Sequence, residues 1–438
     1  FGKDTVLNVS LNGYEGKEFL SEGKTNYYGE KVRKRVFMRG ARTYYLYVKL
    51  ADEQDSLAAE QFFNEFRFID YQPTTFDSVY TSEIDGFSLN FPTQVITITD
   101  TITGSEDYYG FEGVDRRREY EARDDNTGNA YYLIVKDYSK YYDIPDADSL
   151  YMTLFYDYFF AYSDGDSIIS EQKMSIDGVE TKEWVLNMGK ISSKVHLRMS
   201  LNNEKLYLQY AYISPETYAN GEYLPFFNSF KWNIEPKPSE SLFEPKANLL
   251  LSDLASPDSA TNALAKEALD FYIFNETHLE ALQQATLRAY TDDSLVFDSN
   301  RSSLIWSIYN IESEDFKNIA ALKSLFPELA AHPKMQLKIF RLLINNEDDE
   351  GKGMEAFLDL NGKHSIGYLP KGETYGIFKQ FYDSLELAAN KFPYLMAGAK
   401  KGNFQPELVH LANEIIKDTD AKSDFLKAYK ADFLEIFR

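Results

Sequence analysis

A hydrolytic triad needs a nucleophile, a base and an acid that orients the base. Five histidines could supply the base: His196, His278, His332, His364 and His410. No G-x-S-x-G elbow accompanies them. His196 sits in a strand-like run, and His278 and His410 fall within helical periodicity. His332 precedes a proline at a helix junction, and His364 lies in a loop. Each is therefore expected to play an ordinary structural or surface role. Zinc needs clustered ligands on fixed spacing, and no H-E-x-x-H or similar pair occurs. Calcium wants several oxygens on one loop. The run Asp124-Asp125-Asn126-Thr127-Gly128-Asn129 offers them at alternate positions but lacks the distal glutamate of an EF-hand loop. It reads as a solvated hairpin turn rather than a calcium site. Asn345-Asn346-Glu347-Asp348-Asp349-Glu350 reads as a hydrated loop between helices. Paired carboxylates could serve a glycosidase. With 69 Asp and Glu residues, however, accidental pairs are certain and none stands out. Neither a P-loop nor a dinucleotide fingerprint is present. No catalytic, cofactor-binding or metal-ligating residue is assigned, and no cofactor is expected.

The bulk composition narrows the partners. The net charge is −23, which makes nucleic acid and anionic membrane surfaces poor partners, since both are held by clustered Lys and Arg. There is no cysteine, so disulfides, thiol nucleophiles and thiolate metal sites drop out together. No apolar run reaches the length of a membrane-spanning helix. The most apolar stretch, Leu150 to Tyr162, is broken by Asp157 and reads as buried core. Aromatic residues make up 16% of the chain, with 33 Tyr and 32 Phe, a composition suited to sheets whose flat rings pair across strands.

The elements that must position all of this repeat. Asn12-Gly13, Lys17-Glu18-Phe19, Arg35, Tyr44-Tyr45-Leu46-Tyr47 and Phe62-Phe63-Asn64-Glu65-Phe66-Arg67 return as Asp177-Gly178, Lys182-Glu183-Trp184, Arg198, Tyr207-Leu208-Gln209-Tyr210 and Phe226-Phe227-Asn228-Ser229-Phe230-Lys231. The offset is 165 residues at the glycines and 163 at the arginines. One supersecondary unit thus occurs twice, and its first copy lacks the front half. Residues 4–72 are expected to run strand, strand, strand, helix, strand, with Leu57, Phe62 and Phe66 on the packed helix face. The complete copy opens on the alternating strand Phe87-Ser88-Leu89-Asn90-Phe91-Pro92 and a hairpin of Arg117–Ala122 with Ala130–Lys136. A helix is expected from Tyr151 to Ser163. The absence of an initial Met, together with the half copy, reads as a fragment or mature product of a longer polypeptide.

The GFxLxFP strand, the G-x-x-x-K-E-[FW] strand and the closing Phe226-Phe227-Asn228-Ser229-Phe230-Lys231 motif resemble the PsbP-like α+β module of bacterial envelope proteins. The resemblance implies the second half of one module over 1–72 and a complete module over 73–236.

After the linker Pro236-Lys237-Pro238-Ser239-Glu240-Ser241, leucine and alanine dominate and the period becomes helical. Leu250, Leu251 and Leu254 should line one helix. Ser256-Pro257 should start a second with Leu264, Ala268, Leu269 and Tyr272 inward, and Leu279, Leu282 and Thr286 should mark a third. Ser313 is a candidate cap for the helix through Phe316 and Ile319. Phe326-Pro327-Glu328-Leu329 and Phe392-Pro393-Tyr394-Leu395 look like two helix corners. Residues 237–438 therefore resemble a HEAT-like α-solenoid. The expected fold class is α+β followed by all-α. The layout as a whole resembles the rear portion of large Bacteroidota envelope proteins, some with an upstream TraB/GumN-type domain of which no residue is present here.

Asp followed by Ser or Thr and an aliphatic residue occurs nine times, where average composition predicts about two or three. The pattern resembles the O-glycosylation acceptor of Bacteroidota envelope proteins, which would place sugar on Thr5, Ser56, Ser78, Thr101, Ser149, Ser167, Ser259 and Ser294. Asp-Ser is equally a common turn and helix-start pair. The ninth instance, Asp383-Ser384-Leu385, reads as mid-helix. Together these readings imply a non-catalytic interaction or scaffold protein of the periplasm or outer membrane. Its protein partners, such as an envelope complex, would bind through the helical repeats and the aromatic sheets. The alternative is an accessory region of a larger envelope hydrolase whose catalytic part lies upstream. Phe62, Phe66, Phe226, Phe227, Phe230 and Trp232 are expected to plug each helix onto its sheet.

Overall fold

Alternating side chains build the N-terminal half. Phe87, Leu89 and Phe91 are fully buried while Ser88 and Asn90 between them are not, as a strand packed on one face requires. The computed structural model describes residues 5–21, 31–50, 55–70, 72–95, 97–102, 113–160, 165–189, 193–293, 295, 299–344, 351–366, 375–418 and 422–436. They divide into two compact units, Phe1–Pro245 and Lys246–Arg438. The first is α+β and the second all-α.

The first unit opens with strands β1 (Thr5–Leu11), β2 (Tyr14–Ser21), β3 (Lys31–Arg39) and β4 (Arg42–Leu50), then helix α1 (Asp55–Glu65). The four strands form one antiparallel sheet in chain order. Four strands thus precede the helix rather than three, and Arg67-Phe68-Ile69 forms no strand after it. One sheet face packs on α1 through Phe37, Leu46, Ala59, Phe63 and Phe68. The helix is phased differently from the expectation. Ala59 and Phe63, one turn apart, are buried, whereas Leu57 is 80% and Phe62 48% exposed. With two adjacent phenylalanines the spacing alone could not choose between them.

Next come β5 (Ser78–Ser82), β6 (Phe87–Phe91), β7 (Thr97–Ile102), β8 (Val114–Arg123), β9 (Ala130–Tyr138), α2 (Ala147–Tyr158), β10 (Ser167–Ile176), β11 (Val179–Met188), β12 (Ser193–Asn202), β13 (Lys205–Ile213), α3 (Pro215–Asn220), α4 (Leu224–Asn228) and β14 (Lys231–Trp232). A seven-stranded sheet has the order β10-β11-β12-β13-β9-β8-β7, and a three-stranded one the order β14-β6-β5. Helix α2 covers one face of the larger sheet, burying Leu150, Leu154 and Phe155 against Trp184, Leu197 and Leu208. The other face packs Tyr131, Leu133 and Tyr207 against Phe87, Phe226 and Phe227. Trp232 belongs to strand β14, not to a helix, and is half-buried against Tyr207. Strand β10 is an edge strand, exposed along nearly all its length, with a bulge between Ile168 and Ser170.

The repeat is exact in register. Glu18 faces Arg35 and Lys17 faces Val36 across β2 and β3; Glu183 faces Arg198 and Lys182 faces Met199 across β11 and β12. Both copies begin with the same two-residue hairpin. Asn12 and Gly13 have φ of 51° and 85°, and Asp177 and Gly178 have φ of 49° and 91°. Two successive positive φ values are the conformation that matches strand twist in such turns.

The second unit contains α5 (Ala247–Asp253), α6 (Ser259–Ala268), α7 (Leu279–Thr286), α8 (Asn300–Tyr309), α9 (Lys317–Glu328), α10 (Pro333–Ile344), α11 (Lys352–Lys363), α12 (Tyr375–Asp383), α13 (Leu385–Ala399), α14 (Gln405–Asp418) and α15 (Lys422–Ile436). From α7 onward each helix packs on helices near it in the chain. Several boundaries differ from the expectation. Asp258, not Ser256, caps α6 by accepting the Thr261 N–H at 2.8 Å. Leu264 is exposed while its neighbour Ala265 is buried. Phe316, at φ 55°, and not Ser313 occupies the N-cap of α9, although Ser313 Oγ accepts the Lys317 N–H at 3.0 Å. Pro327 lies in the last turn of α9, but Pro393 lies inside α13 rather than at a corner. The junction is instead at Ser384, which caps α13 and accepts the Leu387 N–H at 3.3 Å. Serine outcompetes proline here because its hydroxyl satisfies an orphan helix donor.

Candidate functional site

Two buried ion clusters occupy matching positions in the two copies. In the second, Glu183, His196 and Arg198 lie between the seven-stranded sheet and α4, each less than a tenth exposed. Arg198 bonds Glu183 through Nε and the Phe227 carbonyl through Nη1 at 2.8 Å. His196 Nε2 lies 2.8 Å from Glu183 Oε2. Its Nδ1 is 3.2 Å from the Tyr223 hydroxyl, and its ring stacks on Phe227 at 4.0 Å. Burial opposes ionisation of Glu183, but His196 and Arg198 outweigh it and bring the pKa down to about 2. Burial lowers the His196 pKa despite the nearby carboxylate, so the ring stays neutral. In the first copy Glu18 takes the place of Glu183, Arg35 of Arg198 and Arg33 of His196. Glu18 accepts from Arg33 and Arg35 at 2.6 Å each, and both guanidiniums lie over the Phe63 ring. The position that is cationic in one copy and neutral in the other touches a helix ring in both. Both clusters clamp helix to sheet; in the first, Glu60 of α1, 40% exposed, also accepts from Arg33 and Arg35.

A third network surrounds Asp85, which is fully buried. Arg118 Nε reaches it at 2.7 Å, the Tyr120 hydroxyl at 2.5 Å and Lys205 at 3.3 Å. Tyr207 donates to the Asp85 carbonyl at 2.6 Å. Burial works against the Asp85 carboxylate, but Arg118 and Tyr120 keep its pKa below the ordinary range. This network fastens the turn after β5 onto the larger sheet.

The open site lies elsewhere, on the face of the β1–β4 sheet that α1 does not cover. A groove of about 730 Å³ is lined there by Asn8, Lys17, Phe19, Lys34, Val36 and Tyr45, among others. Lys34 Nζ lies 5.3 Å from the Phe19 ring centroid and 5.5 Å from that of Tyr45. Lys17 Nζ bonds Asn8 Oδ1 at 2.5 Å. Neither lysine is paired with a carboxylate among the described residues. Met38, Tyr45 and Tyr47 are 49%, 63% and 61% exposed. In the second copy the same face is core: Trp184, Leu197, Met199 and Leu208 are fully buried under α2. None of these groove residues was singled out as a site from the sequence. Their signal was there only as a position-by-position comparison of the two copies, in which Phe19 answers to Trp184 and Tyr45 to Leu208.

The residues considered earlier are scattered over the fold. His278 Nδ1 accepts the Asn275 N–H at 3.0 Å in a helix cap. The His332 N–H donates to Leu329 at the end of α9, the His364 carbonyl accepts from Asn403 at 2.7 Å, and His410 meets the Tyr382 ring edge-on. The Asp124–Asn129 turn is solvated at Asp125 and Asn126 but not throughout. Asp124, Thr127 and Asn129 are buried, and Asp124 accepts from the Thr74 and Thr127 hydroxyls at 2.6 Å each and from the Asn126 N–H at 2.9 Å. These local donors use the oxygens that calcium would need. Asn345–Glu350 lies outside the described residues. Among the described residues no group of three or more His, Asp or Glu side chains converges as a metal site. Of the acceptor hydroxyls, Ser149, Ser167 and Ser259 are exposed and Ser78 half-buried. Ser294 and the side chains of Thr5, Ser56 and Thr101 lie outside the described residues. Ser149 donates to Asp146 at 2.9 Å, and Ser259 is the first residue of α6.

No family model matches the chain, and no curated protein matches it. Among solved structures it is similar to cyanobacterial PsbP (CyanoP) from Synechocystis sp. PCC 6803, with 14% identity and a TM-score of 0.26, over 35% of this chain and 91% of that one. The fold itself is an antiparallel-sheet α+β unit followed by an all-helical unit. Among the described residues no helix is long and apolar enough to cross a membrane.

Proposed function

We propose that this chain is a non-catalytic interaction protein of the bacterial cell envelope, and that it binds protein partners through the aromatic outer face of its first sheet. One observation carries the reading: the outer face of the first sheet exposes Met38, Tyr45 and Tyr47 beside a groove lined by Phe19 and Val36. Exposed rings interleaved with Lys17, Lys34 and Glu15 suit a docking surface of mixed apolar and charged character. The helical unit exposes apolar residues such as Ile273, Trp306 and Tyr394. The envelope location draws on the Asp-Ser/Thr-aliphatic tripeptides, three of whose serines are exposed. The likeness of the first unit to PsbP-like modules and of the second to HEAT-like repeats belongs to the same reading.

The test is a photo-reactive amino acid at Tyr45, introduced in cells of the source organism. A covalent adduct of one discrete mass that disappears on Val36→Asp is expected. Absence of any such adduct overturns the reading. Intact-mass measurement of the natural protein tests the location separately; a mass without hexose increments removes the glycosylation argument.

A further inference from the structure

We infer that the turn between β8 and β9 is a latch: it fixes the first sheet against the second copy, and once it is released the two copies move as separate folded bodies. The inference concerns motion within the first unit and holds whatever partner the chain binds.

The two copies share no core. Phe37, Leu46, Ala59, Phe63 and Phe68 cluster with side chains of residues 9–68 alone, and the clusters on the two faces of the seven-stranded sheet draw nothing from that segment among the described residues. Among those residues, too, no strand or helix of the first copy packs extensively on an element of the second. Apolar burial therefore does not set their mutual orientation, and relative motion is the default for bodies joined in this way.

What joins them is polar and converges on one turn. Asp124 is buried at its start. Its Oδ2 accepts from the Thr74 hydroxyl at 2.6 Å, which ties down the segment leading out of the first copy. The same oxygen accepts from the Thr127 hydroxyl at 2.6 Å, and Oδ1 accepts the Asn126 N–H at 2.9 Å. In the turn so shaped, the Thr127 carbonyl accepts the Ala41 N–H at 3.1 Å. Ala41 lies in the hairpin turn between the paired Arg39 and Arg42, so its N–H is not used by the β3–β4 ladder. Beside this bond the Arg42 stem passes over Gly128, where an added Cβ would lie 2.5 Å from Arg42 Cγ, and the Arg42 guanidinium is 3.8 Å from Asp125. Gly128 also has a φ of 76°, so glycine serves both the bend and the close approach.

One carboxylate thus supports two attachments, to the connecting segment through Thr74 and to the β3–β4 hairpin through the shape of the turn. The connection is pinned at both ends. Arg39 of the first copy donates to the Ile69 carbonyl, and Phe76 meets Tyr131 of the second copy edge-on at 5.4 Å. Between Ile69 and Thr74 the chain can reach about 17 Å at most, which leaves room for a swing once Ala41 is released. Each contact is modest by itself, so the latch can open without unfolding either sheet.

The test uses the full chain. It contains no cysteine, so Leu57→Cys on α1 and Glu216→Cys on α3, both exposed, place one spin label on each copy. Dipolar distance measurement should give one narrow distribution in this parent. Thr74→Val with Ala41→Pro removes both donors to the turn and should widen the distribution by about twofold or more. Neither side chain belongs to a core, so the unfolding midpoint should stay near the parent's. Thr74→Ser alone keeps the hydroxyl and should leave the distribution narrow. In the unmutated chain, the Ala41 amide should exchange its hydrogen about tenfold or more slowly than an open turn does. A parent distribution already as broad as the double variant's overturns the inference, as does a double variant that stays narrow. So does an Ala41 amide that exchanges as fast as one in an unstructured chain, a result that needs no substitution.

Discussion

Glu183 and Arg198 stand directly opposite each other on β11 and β12, and Glu18 and Arg35 repeat the pairing on β2 and β3. Removing one partner of a buried pair strands the other charge. Glu183→Gln should therefore destabilise the first unit by about 3–5 kcal/mol, read from urea unfolding followed by tryptophan fluorescence. Replacing both with Met should recover most of that loss; a double variant as unstable as the single one would mean the pair does more than neutralise itself.

Acid should weaken the same cluster in two stages. The folded-state pKa of His196 is below 6.5 and that of Glu183 is about 2, against an ordinary 4.5. Both are depressed, so the unfolded chain binds more protons and stability falls as pH drops. The first loss begins below pH 6.5 and the second runs from 4.5 towards 2. His196→Phe, which keeps a ring on Phe227, should abolish the first stage and narrow the second, since His196 helps Arg198 hold the Glu183 pKa down. Unfolding midpoints measured across this range decide it.

Lys136 is 1% exposed on the α2 side of the sheet, with its ammonium 4.9 Å from the Tyr158 ring centroid. Burial, aided by Arg117, depresses its pKa from 10.5 to about 7. The unfolded chain then holds the extra proton between these values, so stability should climb from pH 7 to 10.5. Lys136→Met should flatten that climb and raise stability near neutrality by about 1 kcal/mol or more. A variant that keeps the slope would assign the titration to another group.

Phe227→Ala should cost about 3–5 kcal/mol, because the ring is 1% exposed and carries both His196 and Arg198. Phe62→Ala should cost less than about 1 kcal/mol, since that ring is half in solvent. Equal effects would contradict the helix phase described for α1.

Gly13→Ala and Gly178→Ala should each destabilise by about 1–2 kcal/mol through the left-handed backbone alone, as no atom lies within 4 Å of an added methyl group. Gly13→Asn should recover part of the loss.

Much of this was legible in the sequence. Two-residue alternation, Asn-Gly and Asp-Gly turns and a repeat of fixed offset announce themselves locally, and so the tandem sheets and the shift to helices could be read. The phase of α1 could not, because adjacent Phe62 and Phe63 satisfy opposite faces and only Ala59 breaks the tie. Ser384 and Pro393 were exchanged for a related reason. Proline is tolerated inside α13 once packing holds the helix, whereas the serine's hydroxyl is what ends the fraying. The groove was least visible. Phe19, Val36 and Tyr45 look like ordinary core positions of a strand, and whether such positions are covered depends on an element supplied from outside the strand.

Strand β10 closes one side of the seven-stranded sheet, and its outer peptide groups are a template for any extended segment that drifts past. The bulge between Ile168 and Ser170 throws that template out of step, and Glu171 and Lys173 would have to shed water for a newcomer to dock. Along this rim the sheet is therefore a poor template for a further strand, which is how a fold with an open edge keeps its monomers apart.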